Sequence, residues 1–449
     1  MSNNIALKRT LNLYHVVLFG LAYMTPMIVF GTYGVLAEIT HGIVPTAYLI
    51  ALIAMLFTAY SYGKMVKAFP ASGSAYTYTR KSVSSHLGFL VGWSVLLDYL
   101  FLPMVIWLIG GVYLNAAFPG VPSWVWIVGF IAITTIINII GIKVTTNVNF
   151  IMMVFQILVI AIFLVLCIIS LSNGMGSGTL FSIDPFIDPT SSFSFLLAGS
   201  AIACYSFLGF DAVTTLSEET IKPEKTIPKA IFLIALSGGL IFIVSSYFLF
   251  LIHPDFSSFT NPDSAAFEIA QQIGGNLFSA VFLAGLIIAQ FSSGLSAQTS
   301  AARLLYAMGR DSVLPRKIFG YISETYRTPV FNLLMIGFVG LLALVTDVTT
   351  STSFINFGAF ATFTFVNISV ISHYYVRNKR RSGKDLLLYL VLPFIGAGLD
   401  LFLFINLDKN ALILGAVWTT IGFVYLLFLT KGFKKQPPEI DMDSADEAS

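Results

Sequence analysis

The chain has 449 residues, of which 57% are hydrophobic and only 10% are charged, and its formal net charge is +2. Soluble globular proteins average about 25% charged residues, so this composition excludes a soluble globule. The apolar runs are continuous rather than alternating in short segments, which argues against a β-barrel and indicates an all-α membrane protein.

Apolar segments long enough to cross a bilayer, about 20 residues each, recur along almost the whole sequence. We expect twelve membrane-spanning helices, at about 13–37, 45–69, 87–114, 122–143, 150–172, 193–217, 228–253, 275–300, 330–347, 353–376, 386–406 and 411–431. The first is too long for the core of a cleaved signal peptide, so we expect it to remain as a span. Residues 1–431 then form one transmembrane domain, and residues 432–449 a disordered cytoplasmic tail.

The basic residues are distributed unevenly between the two sides of these spans. All 24 lysines and arginines except Lys409 lie at the termini or in and beside the loops that follow even-numbered spans. Cytoplasmic loops are the ones that collect Lys and Arg. We therefore predict a multi-pass protein of the cytoplasmic membrane with both termini in the cytoplasm, and the asymmetry supports an even number of spans.

Span one contains the stretch AYMTPMIVFGTYG, which is unfavourable for a continuous helix. Pro26 removes a backbone donor, and Gly31 and Gly34 weaken the helix beyond it. We place Pro26 and Met27 at a break in this helix and take both as candidate substrate-binding residues. The simpler alternative is that Pro and Gly are commoner in membrane helices than in soluble ones.

Span three carries a carboxylate, Asp98, about eleven residues after Leu87 and hence roughly 16 Å along the helix. That position is near the middle of a hydrocarbon core about 30 Å thick, where a carboxylate needs a cavity or a partner. The spans offer no Lys or Arg to neutralise it, which leaves a bound cation, a proton or a substrate amine. Trp93 and Tyr99 are candidates for a cation–π wall. The alternatives are a protonated structural Asp and aromatic side chains that only fill the core.

Span six contains YSFLGFDAVTTLSEET, with Gly209 at its weakest point and the carboxylate of Asp211 beside it. It lies five spans after span one, so the two cross the membrane in opposite directions, and paired interruptions of this kind mark transporter sites near the midplane. We therefore take Tyr205, Phe207, Gly209 and Asp211 as candidate substrate-binding residues. Asp211 and Glu218 are candidates for a gate or for proton coupling, although Glu218 fits equally a solvated capping carboxylate.

Several function classes are disfavoured by what the sequence lacks. It shows no catalytic constellation, nucleotide-binding loop or metal-ligand spacing, so we expect neither an enzyme nor a metal or other cofactor. Cys167 and Cys204 both fall inside predicted spans, where a structural disulfide is not expected. A membrane receptor that does not transport would have no need of Asp98 and Asp211. Nothing suggests a nucleic-acid partner, and the oligomeric state is left open.

Three stretches carry a resemblance to a known family: FPASGSAYTYTRKSVSSHLGFLVGW at 69–93, SFLGFDAVTTLSEETIKPEKTIPKAI at 206–231 and SAARLLYAMGRDSVLPRKIFGYISETYRTPV at 300–330. They resemble the amino acid–polyamine–organocation transporter superfamily. The resemblance implies a leucine-transporter-like fold with inverted repeats at about 13–172 and 193–376. It also implies discontinuous first and sixth spans and peripheral helices at 386–431.

Within that superfamily, the segments GLAYMTPMIVFGTYG and VGWSVLLDYLFLPM look most like those of bacterial putrescine importers. The resemblance implies proton-driven uptake of a diamine. Relatives that carry amino acids typically have a Gly-Ser-Gly-like element in span one that receives the substrate carboxylate, whereas this sequence reads TPMIVFG. A site without that element but with Asp98 and Asp211 suits a substrate with two amines and no acid. The alternatives are an amino-acid permease and an exchanger of amine for amino acid.

The sequence leaves two energy sources open, a proton gradient and the membrane potential. Some proton-coupled relatives place a lysine in span five, but this chain has Gln156 there, and an amide does not titrate. Protons would then have to be carried by Asp98, Asp211 or Glu218. The membrane potential alone supplies about 2.3 kcal/mol per charge per 100 mV, or roughly 4.6 kcal/mol for a dication.

Overall fold

The computed structural model describes residues 11–70, 74–140, 146–187, 192–217, 220–310, 312–326 and 328–438. The predictions for Glu218 and for the end of the tail, residues 439–449, lie outside the described residues. In the described part, the secondary structure is helical, and the only β pairing is an isolated bridge between Leu11 and Thr220.

The α-helices follow one another along the whole described chain. In order, they are α1 (Leu13–Met24), α2 (Ile28–Thr40), α3 (Val44–Ala68), α4 (Ser74–Ser82), α5 (Ser85–Ala117), α6 (Ser123–Ile140), α7 (Thr146–Ser172), α8 (Phe193–Ala203), α9 (Pro223–Ile252), α10 (Ala265–Arg310), α11 (Arg316–Phe319), α12 (Val330–Gly340), α13 (Val348–Val370), α14 (Gly383–Leu386), α15 (Leu392–Ile405) and α16 (Lys409–Leu429). Short 3-10 segments extend α8 and α12, and π-helical segments at Ile371–Arg377 and Leu387–Val391 flank α14.

Ten of the described helical segments are long and apolar enough to cross a membrane, or eleven if the bent pair α1 and α2 counts as one span. This confirms the prediction of a multi-pass, all-α membrane protein. A count of twelve requires that the shorter apolar segment Val330–Leu344 also crosses, and this finer statement stays a prediction.

The ends of two helices differ from the predicted spans. The predicted span 228–253 begins earlier, at Pro223, because proline is favoured in the first turn, where its missing N–H is not needed. The predicted span 275–300 begins at the kink of α10, which reaches from Ala265 to Arg310 and has a non-helical backbone at Gly275, with φ of 61°. The helix continues ten residues beyond the predicted end, because hydropathy detects its apolar part but not the polar end that follows.

The first predicted span consists of two helices whose axes are bent by 46°. The first, α1, ends at Thr25, which has a left-handed backbone with φ of 56°, and α2 begins at Ile28. Pro26 and Met27 form the connection, and the Ile28 N–H donates to the Thr25 carbonyl at 2.9 Å. The interruption therefore lies at the proline that the sequence points to.

The sixth predicted span also changes geometry part-way along. Here α8 ends at Ala203 and is followed by 3-10 turns at Cys204–Phe207 and Ala212–Leu216. Gly209, between them, has a φ of 101°, and a Cβ at this position would lie 2.2 Å from the Tyr23 ring of α1. Both the positive φ and the close approach require glycine, so the two interrupted segments meet at Gly209.

Two further helices complete the surroundings of these segments. The long helix α5 carries Asp98 and packs against α4, α6, α10 and α13. Gly358 permits α13 to come close, because a Cβ there would lie 2.5 Å from the Ser94 carbonyl oxygen and 3.4 Å from the Cβ of Asp98. Helix α3 packs mainly against α9 and also reaches α13 and α15. The interrupted segments are thus enclosed by α3, α5 and α13.

Candidate functional site

A cavity lies where the interrupted segments meet α3, α4, α5, α10 and α13. It contains about 860 Å³ of space not filled by atoms, counting its open mouth. It is lined by Tyr23, Tyr62, Ser74, Ala75, Tyr76, Gly92, Val95, Asp98, Tyr99, Leu102, Leu208, Gly209, Asp211, Ala212, Leu304, Ala359, Thr362 and Phe363. Four of the predicted substrate-binding residues, Asp98, Tyr99, Gly209 and Asp211, are therefore brought together around one cavity.

The two carboxylates of this cavity have different surroundings. Asp211 accepts a hydrogen bond from the Tyr62 hydroxyl, with 2.9 Å between that oxygen and Oδ2. Oδ1 of Asp98 is buried and has no hydrogen-bond partner among the described residues. Asp98 and Asp211 interact electrostatically, and two like charges in one cavity disfavour each other. One carboxylate is thus held in place by the protein, while the other is left with unused acceptor capacity.

The charges of these two carboxylates are not balanced by a cation from the described part of the chain. Within it, neither Asp98 nor Asp211 forms an ion pair with Lys, Arg or His. A carboxylate inside a membrane protein is costly unless it is paired, protonated or solvated. The cavity is consequently suited to a guest that brings positive charge with it.

Aromatic rings form much of the remaining wall. Tyr23, Tyr62, Tyr76, Tyr99 and Phe363 all line the cavity. The faces of such rings attract cations, and their carbon atoms cover methylene groups. Carboxylates at fixed positions and an apolar aromatic wall together match a short organic cation better than an inorganic ion.

Trp93, which we predicted to form part of the cation–π wall, lies elsewhere. Its indole stacks on that of Trp418 in α16, with ring centroids 5.0 Å apart. The Trp93 Nε1–H donates to the Trp418 carbonyl at 3.0 Å, and the Trp418 Nε1–H donates to the Trp93 carbonyl at 2.8 Å. This side chain joins α5 to α16 outside the cavity, so we leave it out of the proposed site.

Four other predicted residues flank the cavity without lining it. Phe207 is buried edge-on against Phe242, with centroids 5.2 Å apart. Tyr205 lines a smaller neighbouring cavity of about 310 Å³, which also borders Tyr23. Pro26 and Met27 are buried in the connection between α1 and α2 and are not among the lining residues. We assign these two to the shape of the interruption rather than to substrate contact.

Two structural features of the site were not predicted. Tyr62 holds Asp211 from α3, and Thr362 and Phe363 line the cavity from α13. A tyrosine in an apolar span carries no distinctive local signal, since tyrosine is common near membrane interfaces. Only the packing of distant helices identifies these residues.

Gln156 of α7 is also buried, with Oε1 lacking a hydrogen-bond partner in the described chain.

The amino-acid sequence agrees with one family over nearly all of its length. Residues 15–433 match the family model described as amino acid permease. The chain belongs to the amino acid permease family. This membership confirms the resemblance to the superfamily and the prediction of a transporter rather than an enzyme.

Similar proteins differ in their stated substrates. The low-affinity putrescine importer PlaP of Escherichia coli strain K12 is 44% identical over 441 residues, which cover 98% of each chain. The branched-chain amino acid permease BcaP of Bacillus subtilis is 25% identical and covers 96% of this chain and 95% of its own. The cationic amino acid transporter 4 of Mus musculus is 29% identical over 82% of this chain and 60% of its own.

Proposed function

We propose that this protein is a secondary active transporter that imports putrescine, or a closely related polyamine, across the cytoplasmic membrane by alternating access. The observation that carries the proposal is one cavity whose described lining residues include Asp98 and Asp211 but no Lys or Arg. The full-length similarity to a protein described as a putrescine importer supports it.

The chemistry of the cavity fits a diamine at both ends. Alkyl amines titrate near the lysine value of about 10.4, so putrescine carries two positive charges at neutral pH. One ammonium pairs with Asp98, whose Oδ1 is free to accept hydrogen bonds, and the other with Asp211, which Tyr62 orients. The methylenes between them lie against the aromatic wall. Each charge on the substrate thereby has a carboxylate, and the described lining residues include no Lys or Arg that would pair with a substrate acid group.

The proposed architecture has twelve spans, with inverted repeats at about 13–172 and 193–376 and both termini in the cytoplasm. The bend between α1 and α2 and the 3-10 turns after α8 support discontinuous helices at corresponding positions of the two repeats. The charge bias places α4 on the cytoplasmic side, and Ser74, Ala75 and Tyr76 of α4 line the cavity. The cavity therefore lies toward the cytoplasm, as in a state that releases substrate inward.

The driving force in this proposal is the membrane potential, the proton gradient or both. A dication entering along a potential of 100 mV gains roughly 4.6 kcal/mol, which supports accumulation of more than a thousandfold. For protons, Asp211 is a candidate carrier within the cavity. A second candidate, Glu218, follows it in the sequence and keeps the role of a proposed inner gate.

An amino-acid permease, or an exchanger of amine for amino acid, is the second candidate function. The similarities to proteins described as branched-chain and cationic amino acid transporters favour it. Against it, an amino-acid substrate carries a carboxylate. The cavity presents two more carboxylates, Asp98 and Asp211, and its described lining residues include no Lys or Arg. Like charges so close together are repulsive.

Uptake by purified protein in proteoliposomes tests the proposal. Labelled putrescine is supplied outside, the pH gradient and the membrane potential are imposed separately, and arginine, lysine and leucine serve as competitors. We expect saturable putrescine uptake that the amino acids inhibit weakly. Saturable uptake of an amino acid together with no uptake of putrescine would overturn the assignment in favour of the second candidate.

A further inference from the structure

A third buried carboxylate, outside the cavity, lies at the junction of three helices. Asp400 of α15 is completely buried. Its Oδ2 accepts hydrogen bonds from the Thr58 hydroxyl of α3 at 2.8 Å and from the Asn367 amide nitrogen of α13 at 2.9 Å. The Ser61 hydroxyl donates to Asn367 Oδ1 at 2.5 Å. We call Thr58, Ser61, Asn367 and Asp400 the Asp400 network.

The described residues give this carboxylate no charged partner. Oδ1 of Asp400 is buried without a hydrogen-bond partner among them. The titratable group that interacts with it electrostatically is the Cys204 thiol, at the start of the 3-10 turn after α8. A carboxyl group that has two hydrogen-bond donors and no fixed counter-charge has no partner that locks it in one protonation state, which suits a site that gains and loses a proton.

The helices packed against α15 offer no cation that would hold Asp400 permanently ionised. Helices α8 and α13 contain no ionisable side chain between Phe193 and Ala203 or between Val348 and Val370. The ionisable groups of α3 and of the turn Leu387–Val391 have other contacts. The three tyrosine hydroxyls of α3 are hydrogen-bonded: Tyr48 to Thr32 and Ser206, Tyr60 to the Leu388 carbonyl, and Tyr62 to Asp211. The ammonium group of Lys64 lies over the rings of Tyr60 and Tyr389, and Lys67 is exposed.

The Asp400 network is tied to the substrate cavity through two helices. On α3, Thr58 lies one turn before Tyr62, whose hydroxyl donates to Asp211. On α13, Asn367 lies one turn after Phe363, which lines the cavity, and its amide donates to the Phe363 carbonyl at 3.1 Å. A change of charge at Asp400 therefore acts on the hydrogen bonds of both helices that carry cavity residues.

Helices α13 and α15 are in close contact beside the Asp400 network. A Cβ at Gly396, one turn before Asp400, would lie 2.5 Å from Oδ1 of Asn367. A rearranged hydrogen bond at Asn367 therefore changes a direct contact between the two helices.

We propose that Asp400 is a proton-binding site, separate from the substrate cavity, that couples proton uptake to substrate import. Asp400 takes up a proton on an oxygen of its carboxylate when the site is reached from outside. It releases the same proton to the cytoplasm after the transporter has changed conformation. The hydrogen bonds of Thr58 and Asn367 rearrange with each step and shift α3 and α13. The inference rests on the proposed import of putrescine and adds the residue through which a pH gradient drives it.

The test compares Asp400→Asn with wild type in proteoliposomes that contain putrescine. The amide keeps the volume and mimics the protonated acid but carries no exchangeable proton. With one proton per putrescine, a gradient of one pH unit at zero potential supports about a tenfold accumulation by wild type. We expect Asp400→Asn to lose this accumulation while putrescine exchange and potential-driven uptake stay within about twofold of wild type. Asp408→Asn, at the half-buried N-cap of α16, is the matched control and should keep the tenfold accumulation.

The outcomes separate this inference from the proposed function. Absence of putrescine transport in wild type refutes the proposed function itself. Potential-driven uptake by wild type without any response to the pH gradient leaves the function intact and overturns the role of Asp400. Retention of the tenfold accumulation by Asp400→Asn overturns it as well.

A second pair of variants decides the case in which Asp400→Asn also fails to exchange putrescine. Thr58→Val removes one hydrogen-bond donor to the carboxylate at nearly constant volume, which stabilises the protonated form relative to the ionised one. We expect the midpoint of the pH profile of uptake to move to higher pH and Thr58→Ser to restore it. A midpoint that is the same in all three proteins excludes Asp400 as the coupling group.

Discussion

Replacing Asp98 with asparagine is the most direct test of the substrate site. The substitution keeps the shape of the side chain but removes its charge. Because Oδ1 of Asp98 has no hydrogen-bond partner in the described chain, the substitution breaks no hydrogen bond to that oxygen. Loss of the charge also relieves its repulsion with Asp211. Without bound substrate, the melting temperature of Asp98→Asn should therefore be at least that of wild type. A transport defect in this variant then cannot be attributed to unfolding.

The size of the defect follows from the surroundings of Asp98. Removing one member of a desolvated charge pair costs about 2–5 kcal/mol. Asp98 is only partly shielded, since it faces the cavity, so the lower part of this range applies. About 2–3 kcal/mol corresponds to a roughly 30- to 150-fold weaker affinity for putrescine, at about 1.4 kcal/mol per tenfold.

The assay is the concentration dependence of putrescine uptake in proteoliposomes that contain equal amounts of each protein. Asp408→Asn changes an N-cap carboxylate away from the cavity in the same way and should behave like wild type. The melting temperature of each purified protein is measured in parallel. An unchanged KM and unchanged maximal rate for Asp98→Asn would remove Asp98 from the site and contradict the two-carboxylate interpretation.

Three further substitutions test single contacts. Tyr62→Phe removes a hydrogen bond to the Asp211 carboxylate, worth about 1.5–3 kcal/mol, and should raise the KM for putrescine about tenfold or more. Gly209→Ala should abolish uptake, because φ is 101° and the added Cβ would lie 2.2 Å from the Tyr23 ring; uptake is measured at equal protein content. Trp93→Phe loses one hydrogen bond outside the cavity and should lower the melting temperature while leaving KM within about twofold.

Each of these three has its own contrary result. Tyr60→Phe removes a hydroxyl on the same helix that donates to the Leu388 carbonyl, so an equal rise in KM for Tyr60→Phe and Tyr62→Phe would point to a general effect on α3. Normal uptake by Gly209→Ala would show that the chain at this point tolerates a side chain. A raised KM for Trp93→Phe without loss of stability would return Trp93 to the site.

The sequence predicts much of the site because its decisive features are chemical and local. A proline, a glycine and two carboxylates inside apolar spans are each unfavourable for a continuous membrane helix, so they stand out against the apolar background. The structure places Asp98, Gly209 and Asp211 around one cavity and places Pro26 in the connection between α1 and α2. A polar or helix-breaking residue inside an apolar span therefore indicates a functional position even when its neighbours in space are unknown.

The position of Trp93 shows how helical geometry overrides proximity in the sequence. An α-helix turns about 100° per residue, so the cavity-lining residues of α5 between Gly92 and Leu102 cover roughly 120° of its circumference. Trp93 lies about 160° from the centre of that face, on the side that meets Trp418. Trp93 precedes Asp98 by five residues, so the two residues are close along the chain but lie on opposite sides of the helix.

The contributions of α3 and α13 were not accessible from the sequence. Tyr62 and Asp211 are separated by 149 positions, and their hydrogen bond depends on α3 packing beside the interrupted segment, against its 3-10 turn Cys204–Phe207. The same holds for Asn367 and Asp400, whose helices meet at Gly396. Hydropathy places each of these helices in the membrane but is insensitive to which neighbour each face meets.

The three carboxylates within the helices differ in what can reach them, and their proposed roles follow from this difference. Asp98 and Asp211 line a cavity with an open mouth, whereas Asp400 is completely buried and bonded to α3 and α13. A proton is the one cation that needs no cavity of its own, since it is carried on the carboxylate oxygen itself. Helix α3 contacts both sites within one turn, through Thr58 and Tyr62. In the proposed mechanism, a shift of this helix changes the donor to Asp400 and the donor to Asp211 together, which would let proton binding and substrate binding favour the same conformation.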